Sequence, residues 1–103
     1  MRKINAALIG AGVIGLRRAN IFGNKFKLVA CADKNLNKLK KIFNEKNVFL
    51  TTDWKKILKL NNVEAVFIAT YHTIQSDIIG KFLDKGINIF CEKPGGTSHL
   101  KTI

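Results

Sequence analysis

Three glycines near the start of the chain are spaced as in loops that bind phosphate groups. Gly10, Gly12 and Gly15 form the pattern Gly-x-Gly-x-x-Gly, with Val13 and Ile14 inside it. The first glycine allows a tight turn, the second lets the backbone approach a pyrophosphate, and the third lets a helix pack closely on a strand. The pattern follows an apolar run and precedes an amphipathic segment, as this motif requires. We therefore predict a dinucleotide site at a helix N-terminus; an ordinary glycine-containing turn is the alternative.

Asp33 and Lys34 are the next residues with a predicted role at such a site. Asp33 lies 18 residues after Gly15 and ends an apolar run typical of a strand. A carboxylate there accepts hydrogen bonds from the adenosine ribose and repels a 2′-phosphate, which favours NAD over NADP. Lys34 adds a cation that can accept that phosphate, so NADP stays open. The alternative role for Asp33 is the N-cap of the following helix.

Polar side chains also follow two later apolar runs. Thr70 and Tyr71 close one run, with His72 after them, and Glu92 and Lys93 close another. Ligands of open α/β sheets bind outside the carboxyl ends of the strands, so we expect Thr70 and Tyr71 to line a cofactor cleft. Lys93 is expected near the nicotinamide, where it can hydrogen-bond a substrate oxygen or help to move its proton. A surface lysine and a turn histidine are the alternatives for Lys93 and His72.

Short apolar runs alternate with amphipathic segments along the whole chain. The runs predict buried parallel strands, and the amphipathic segments predict helices that cover them. This alternation predicts an α/β fold: one Rossmann-type domain, residues 1–103, with a doubly wound parallel sheet of about five strands. Residues 92–96 are expected to form a loop and residues 97–103 to begin a helix. The predicted strands are 4–9, 27–32, 48–50, 64–70 and 87–91; the predicted helices are 13–22, 35–44, a segment capped by Asp53, and 74–85, which ends at Gly86.

The composition indicates a small globular domain. Of the 103 residues 47% are hydrophobic, and no apolar run approaches the ~18 residues of a membrane span. The formal net charge is +11, but the lysines are scattered over predicted helices and no nucleic-acid-binding motif is present. Neither nucleic acid nor a membrane is therefore an expected partner. Cys31 and Cys91 lie in apolar runs and match no metal or disulfide pattern. We expect a cytoplasmic protein.

The glycine pattern, Asp33 and the segment Glu92-Lys93-Pro94 together resemble the N-terminal domain of the Gfo/Idh/MocA family (glucose–fructose oxidoreductase, inositol dehydrogenase, rhizopine catabolism). The likeness covers nearly the whole chain, and the segment 92–94, at its spacing from the glycines, is its most specific element. The resemblance implies that the three glycines, Asp33, Thr70, Glu92 and Lys93 border an NAD or NADP cofactor. It also implies that Lys93 meets the substrate, a sugar, inositol or related polyol.

Enzymes of this family carry a second α/β domain, which supplies the substrate pocket and most of the oligomer interface. The chain has 103 residues, so the resemblance implies an oxidoreductase fragment without its C-terminal substrate domain, inactive alone and a homo-oligomer at full length. Two alternatives are open. One is a non-catalytic NAD(H)-binding module that acts through a partner chain, and the other is a different dehydrogenase with the same cofactor half, against which the segment 92–94 argues.

Overall fold

The strands of the described part of the chain form a single sheet. The computed structural model describes residues 2–10, 25–42, 47–69, 72–93 and 96–100. The strands are β1 (Ile4–Ile9), β2 (Phe26–Ala32), β3 (Phe49–Thr51), β4 (Ala65–Ile68), β5 (Asn88–Lys93) and β6 (Gly96–Leu100). They follow the order β3-β2-β1-β4-β5-β6. The first five are parallel to their neighbours, which confirms the predicted Rossmann-type α/β fold.

The sheet is covered by helical segments that connect its strands. They are α1 (Leu36–Ile42), the 3₁₀ helix η1 (Trp54–Lys59) and α2 (His72–Asp84). All three fall where helices were predicted, although the second is a tighter and shorter helix than the amphipathic pattern alone indicates. The helix predicted over residues 13–22 lies outside the described residues. None of the described helices is long and apolar enough to cross a bilayer.

Apolar side chains on both faces of the sheet hold the helices in place. On one face, Ile57 of η1 and Phe82 of α2 are fully buried with Val66 and Ile89 of the sheet. On the opposite face, Leu39 of α1 joins a separate buried cluster. Full burial of one such side chain stabilises the fold by about 1.5–3 kcal/mol. Packing on two faces is what a doubly wound sheet requires.

Strand β2 contains one residue more than its neighbour β1 can pair with. The register joins Ala6 to Leu28 but Ala7 to Ala30, so Val29 is left without a partner in the ladder. Val29 and Ala30 both pack on the face that η1 and α2 cover. Two consecutive residues on one face are the mark of a β-bulge, which interrupts the normal alternation of side chains.

Local signals in the sequence fix the helix ends. Asn35 precedes α1, and its Oδ1 accepts a hydrogen bond from the Lys38 N–H at 3.0 Å. Asp53 caps η1, because its Oδ1 accepts from the Lys55 N–H at 3.0 Å. Gly86, the predicted end of α2, adopts φ +82°. The N–H groups of Gly86 and Ile87 donate to the Leu83 and Phe82 carbonyls, which is the Schellman arrangement that a glycine makes possible.

The C-terminal part of the sheet differs from the prediction in two ways. Glu92 and Lys93 were expected in a loop, but they belong to β5, which ends at Lys93. Residues 97–103 were expected to begin a helix, but Gly96–Leu100 forms β6, which pairs antiparallel with β5 and joins Lys93 to Gly96. The Pro94-Gly95 dipeptide is a turn signal, and it favours a hairpin over a crossover. The sheet therefore has five parallel strands and an antiparallel sixth.

The amino ends of β1 and β4 are joined by a charged cluster. The Arg2 guanidinium donates two hydrogen bonds to the Glu64 carboxylate, at 2.9 and 2.8 Å. The Asn5 N–H donates to the same carboxylate at 2.9 Å. These three hydrogen bonds lower the pKa of Glu64 to about 2, with the Arg2 bonds the larger cause. The cluster lies at the opposite end of the strands from the carboxyl edge described next.

Candidate functional site

The carboxyl ends of the parallel strands lie along one edge of the sheet. Ala32, Ile9, Ile68 and Cys91 are in register across β2, β1, β4 and β5. Strand connections run outward in opposite directions from β1 and β4, so the topological switch point of the sheet lies between these two strands. Ligands of open α/β sheets bind at such a point. The four strand ends span three strand spacings, about 14 Å.

Gly10 forms the start of the predicted glycine loop at this switch point. It follows the last residue of β1 and has φ +87°, a backbone conformation that residues with a side chain rarely adopt. Its N–H donates to the Ala32 carbonyl at 2.7 Å, and the Ala69 N–H donates to the Ile9 carbonyl at 2.8 Å. The ends of β2, β1 and β4 are therefore tied together where the chain turns out of the sheet.

Asp33 lies directly after β2, beside this turn. Its N–H donates to the Thr51 carbonyl at 3.1 Å, and its Oδ1 accepts from the Lys34 N–H at 2.6 Å. The alternative role as a helix N-cap falls to Asn35 instead. Asp33 is partly exposed and Lys34 is exposed. Among the described residues, no side chain bonds to the second carboxylate oxygen of Asp33.

Cys31 lies two residues before Asp33 and is fully buried. Burial first, and the nearby negative charge of Asp33 second, raise the pKa of Cys31 to about 12. The thiol is therefore protonated and unreactive at neutral pH, as expected for a cysteine that acts as a small core residue. This agrees with the expectation drawn from its place in an apolar run.

Several predicted site residues lie outside the described residues. These are Gly12, Val13, Ile14, Gly15, Thr70 and Tyr71. For Glu92 and Lys93 the structure describes the backbone alone: both belong to the end of β5, at the same edge as Gly10 and Asp33. Their roles at the site stay predictions.

Thr51 is a residue of this edge that sequence reasoning missed. It ends β3 and is 6% exposed, and its hydroxyl bonds to the backbone of Asp53 while its carbonyl accepts from Asp33. The signal in the sequence is the Thr-x-Asp spacing after an apolar run, which favours a side-chain-to-backbone turn. A shallow open groove of about 470 Å³ lies elsewhere, beside the edge strand β3, and is lined by residues such as Val29, Phe49 and Leu60. It contains none of the predicted site residues.

The described part of this edge fits a dinucleotide. A positive-φ glycine at the end of β1 makes the tight turn with which a dinucleotide-binding loop begins. A carboxylate at the end of β2 suits the hydroxyl groups of a ribose. The strand order places the end of β5 three strands away from Asp33. The two halves of an extended dinucleotide can therefore reach different strand ends.

Comparison with known proteins also indicates a dinucleotide-binding domain. Residues 4–101 match the Gfo/Idh/MocA family, described as an oxidoreductase family with an NAD-binding Rossmann fold. An inositol 2-dehydrogenase from Azotobacter vinelandii is 29% identical over 96 residues, which are 88% of this chain and 28% of that relative.

Solved structures of similar proteins share the fold. The myo-inositol 2-dehydrogenase of Lactobacillus plantarum superposes with a TM-score of 0.80 at 33% identity, over 92% of this chain and 29% of that one. The myo-inositol dehydrogenase of Lactobacillus casei, solved with NAD(H) and myo-inositol, has a TM-score of 0.81 at 22% identity, over 90% and 29% of the two chains. The chain thus spans less than a third of the length of these relatives.

Proposed function

The chain belongs to the Gfo/Idh/MocA family of oxidoreductases, as an NAD-binding Rossmann domain, and we propose that it holds NAD in preference to NADP for hydride transfer to or from a sugar or polyol carbon. The observation that carries the preference is the Asp33 carboxylate at the end of β2, with one oxygen engaged by Lys34 N–H. Its negative charge attracts ribose hydroxyl donors and repels a 2′-phosphate. Lys34 is exposed, and we assign it a minor role beside the adenosine ribose.

The glycine loop holds the pyrophosphate in this proposal. Gly10 supports it through its positive φ at the end of β1. Gly12, Val13, Ile14 and Gly15 would follow as the loop and the first helical turn, whose N–H groups suit a phosphate. Thr70 and Tyr71 would continue the cleft after β4.

We assign to Lys93 the contact with the reacting oxygen of the substrate. It ends β5, three strands from Asp33, which suits a place beside the nicotinamide half when adenosine lies near β2. The nicotinamide, when bound, exchanges a hydride with the substrate carbon. The lysine ammonium would hydrogen-bond the oxygen on that carbon and take part in moving its proton, and Glu92 would border the cofactor.

The substrate and the assembly are proposed from the relatives. The family members compared here include dehydrogenases of inositol, so a polyol of this kind is the substrate class that we favour. Because the chain spans 28% of the length of the first of them, turnover and a homo-oligomer are proposed only for a full-length protein with a substrate domain. We place it in the cytoplasm, where thiols stay reduced, which suits the buried free Cys31.

Titration with the two cofactors tests this function. The chain should bind NADH more tightly than NADPH, as measured by calorimetry. Asp33→Ala should weaken NADH binding about 10- to 100-fold, because a hydrogen bond to a charged group is worth about 1.5–3 kcal/mol. NADPH binding should stay level or improve, since the repulsion is removed.

A matched control is available on α2. Asp77→Ala removes an exposed carboxylate outside the site and should leave both affinities unchanged. No binding of either cofactor at millimolar concentration would refute the function. Equal loss of NADH and NADPH affinity in Asp33→Ala would refute the role of Asp33 in the choice of cofactor.

A further inference from the structure

We infer that Thr51 is a positioning residue for the Asp33 carboxylate, and that its side-chain hydroxyl, which lies away from any cofactor contact proposed above, contributes to the preference for NAD. The inference rests on the proposed function and deepens it, because it places part of the specificity in β3. The observations that carry it are two hydrogen-bonded connections, one through the backbone of Thr51 and one through its side chain.

The first connection joins Thr51 to Asp33. Ala32 pairs with Thr51 in the β2–β3 register, and the next N–H, that of Asp33, donates to the Thr51 carbonyl at 3.1 Å. This is the hydrogen bond at which β2 leaves the sheet. The position of the Thr51 carbonyl therefore fixes the backbone from which the Asp33 carboxylate projects.

The second connection holds the Thr51 carbonyl itself. The Thr51 hydroxyl accepts from the Asp53 N–H at 3.0 Å and lies 3.4 Å from the Asp53 carbonyl, to which it donates. Both bonds close a turn over residues 51–53, and this turn includes the peptide group that carries the Thr51 carbonyl. Without the hydroxyl, that peptide loses the hydrogen bonds that hold it, and the backbone N–H and carbonyl of Asp53 lose a partner.

Burial makes this hydroxyl unusual in the described part of the chain. Thr51 is 6% exposed, and the other buried side chains of the described residues are apolar. A buried hydroxyl is tolerated when it is hydrogen-bonded, and an apolar side chain of the same shape would fit the site as well. Its presence at the strand end beside Asp33 is explained if it fixes the position of the Thr51 carbonyl.

The position of the Asp33 carboxylate depends on small displacements. Its Oδ1 is committed to the Lys34 N–H at 2.6 Å, so the carboxylate rotates little by itself and moves with its backbone. A displacement of the Thr51 carbonyl would move the other carboxylate oxygen of Asp33 relative to a ribose. Binding of a ligand that uses this oxygen should suffer, and binding of one that the carboxylate repels should not.

The test is a comparison of Thr51→Val with Thr51→Ser in the full chain. Valine keeps the shape of threonine and removes the hydroxyl, whereas serine keeps the hydroxyl. Thr51→Val should weaken NADH binding about three- to tenfold, the range that corresponds to one partly lost hydrogen bond, and should leave NADPH binding unchanged. Thr51→Ser should bind both cofactors as the unaltered chain does, and Thr52→Val, at the exposed neighbouring threonine, is the matched control.

A second comparison separates positioning from general loosening of the fold. In the Asp33→Ala background, Thr51→Val should have no further effect on NADH affinity, since residues that act through one contact are not additive. An equal loss in both backgrounds, or an equal loss of NADH and NADPH binding, would overturn the inference. If the unaltered chain binds neither cofactor, the proposed function fails. If the unaltered chain prefers NADH and Thr51→Val has the same ratio of NADH to NADPH affinity, the inference alone fails.

Discussion

At the scale of single residues, burial decides which ionisable groups at the end of β2 carry a charge. The Asp33 carboxylate is partly exposed, whereas Cys31, two residues earlier, is fully buried and has its pKa raised to about 12. The raised pKa means that the contribution of the neutral thiol to stability is present below pH 9, the ordinary value, and is lost as the pH rises toward 12. The end of β2 thus carries a charged, partly exposed group close to a neutral, buried one.

The burial and the raised pKa of Cys31 predict that its thiol reacts slowly. In a Cys91→Ser variant, which leaves one thiol, a disulfide reagent at pH 8 should label the folded chain far more slowly than the denatured chain. Burial blocks access, and a pKa near 12 instead of 9 leaves about a thousandfold less thiolate. Absorbance of the released thiol gives the rate. Adding Asp33→Asn should keep labelling slow, because burial is the larger cause; comparable rates in the folded and denatured chains would contradict the prediction.

At the scale of elements, each described helix has its own end signal. The short helix η1 depends on Asp53, whose side chain caps it at 3.0 Å. The Lys85 ammonium donates to the Leu58 and Leu60 carbonyls near the other end of η1, the second at 3.0 Å. A 3₁₀ helix of six residues has little stability of its own, so these contacts and buried Ile57 decide whether it forms.

Removal of the cap should therefore be measurable. Asp53→Ala should lower the free energy of unfolding by about 1 kcal/mol, the usual contribution of an N-cap. Denaturant titration followed by the fluorescence of Trp54, within η1, measures it. Asp53→Asn is the matched control, since asparagine caps equally well, and a loss as large as that of the alanine variant would contradict a capping role.

Most of the helices and strands, and several of the residues that end them, could be predicted from the sequence. The predictions that were wrong or missing have physical reasons. The five parallel strands, Asp53 and Gly86 were found because each depends on local pattern. Strand β6 was missed because strand pairing with β5 decides its structure, and a short polar segment carries little periodicity of its own. Thr51 was missed because its importance comes from the neighbouring strand β2. The position of Asp33 after a strand was evident from the sequence, but the hydrogen bond that holds it was not.

At the scale of the whole molecule, the two ends of the sheet have different tasks. The carboxyl edge carries the candidate site, and the amino edge carries the Arg2–Glu64 pair, which joins β1 and β4 at 2.8 Å. These are the two strands that flank the switch point. The pair is exposed enough for water to screen it, but it resists acid because the pKa of Glu64 is lowered to about 2.

The contribution of the Arg2–Glu64 pair to stability should decrease in acid. The lowered pKa means that the contribution of Glu64 to stability is present above pH 4.5, the ordinary value, and is lost as the pH falls toward 2. Glu64→Gln should therefore lower the thermal midpoint at pH 7 and lower it less at pH 2.5, measured by circular dichroism. Arg2→Gln should show the same pattern, because the Arg2 bonds are the largest cause. A difference that is the same at both pH values would contradict this account.

The extra residue in β2 is accommodated within the strand. Leu28 and Cys31 pack on one face of the sheet, whereas Val29 and Ala30 pack together on the other. Because the bulge places two residues where a regular strand has one, a chain without Val29 would alternate regularly and keep every residue from Ala30 onward on its present side. Loss of this one codon would therefore leave the side on which Asp33 lies unchanged. The spacing between the glycines and the acidic residue can thus differ by one at this bulge without turning that residue over.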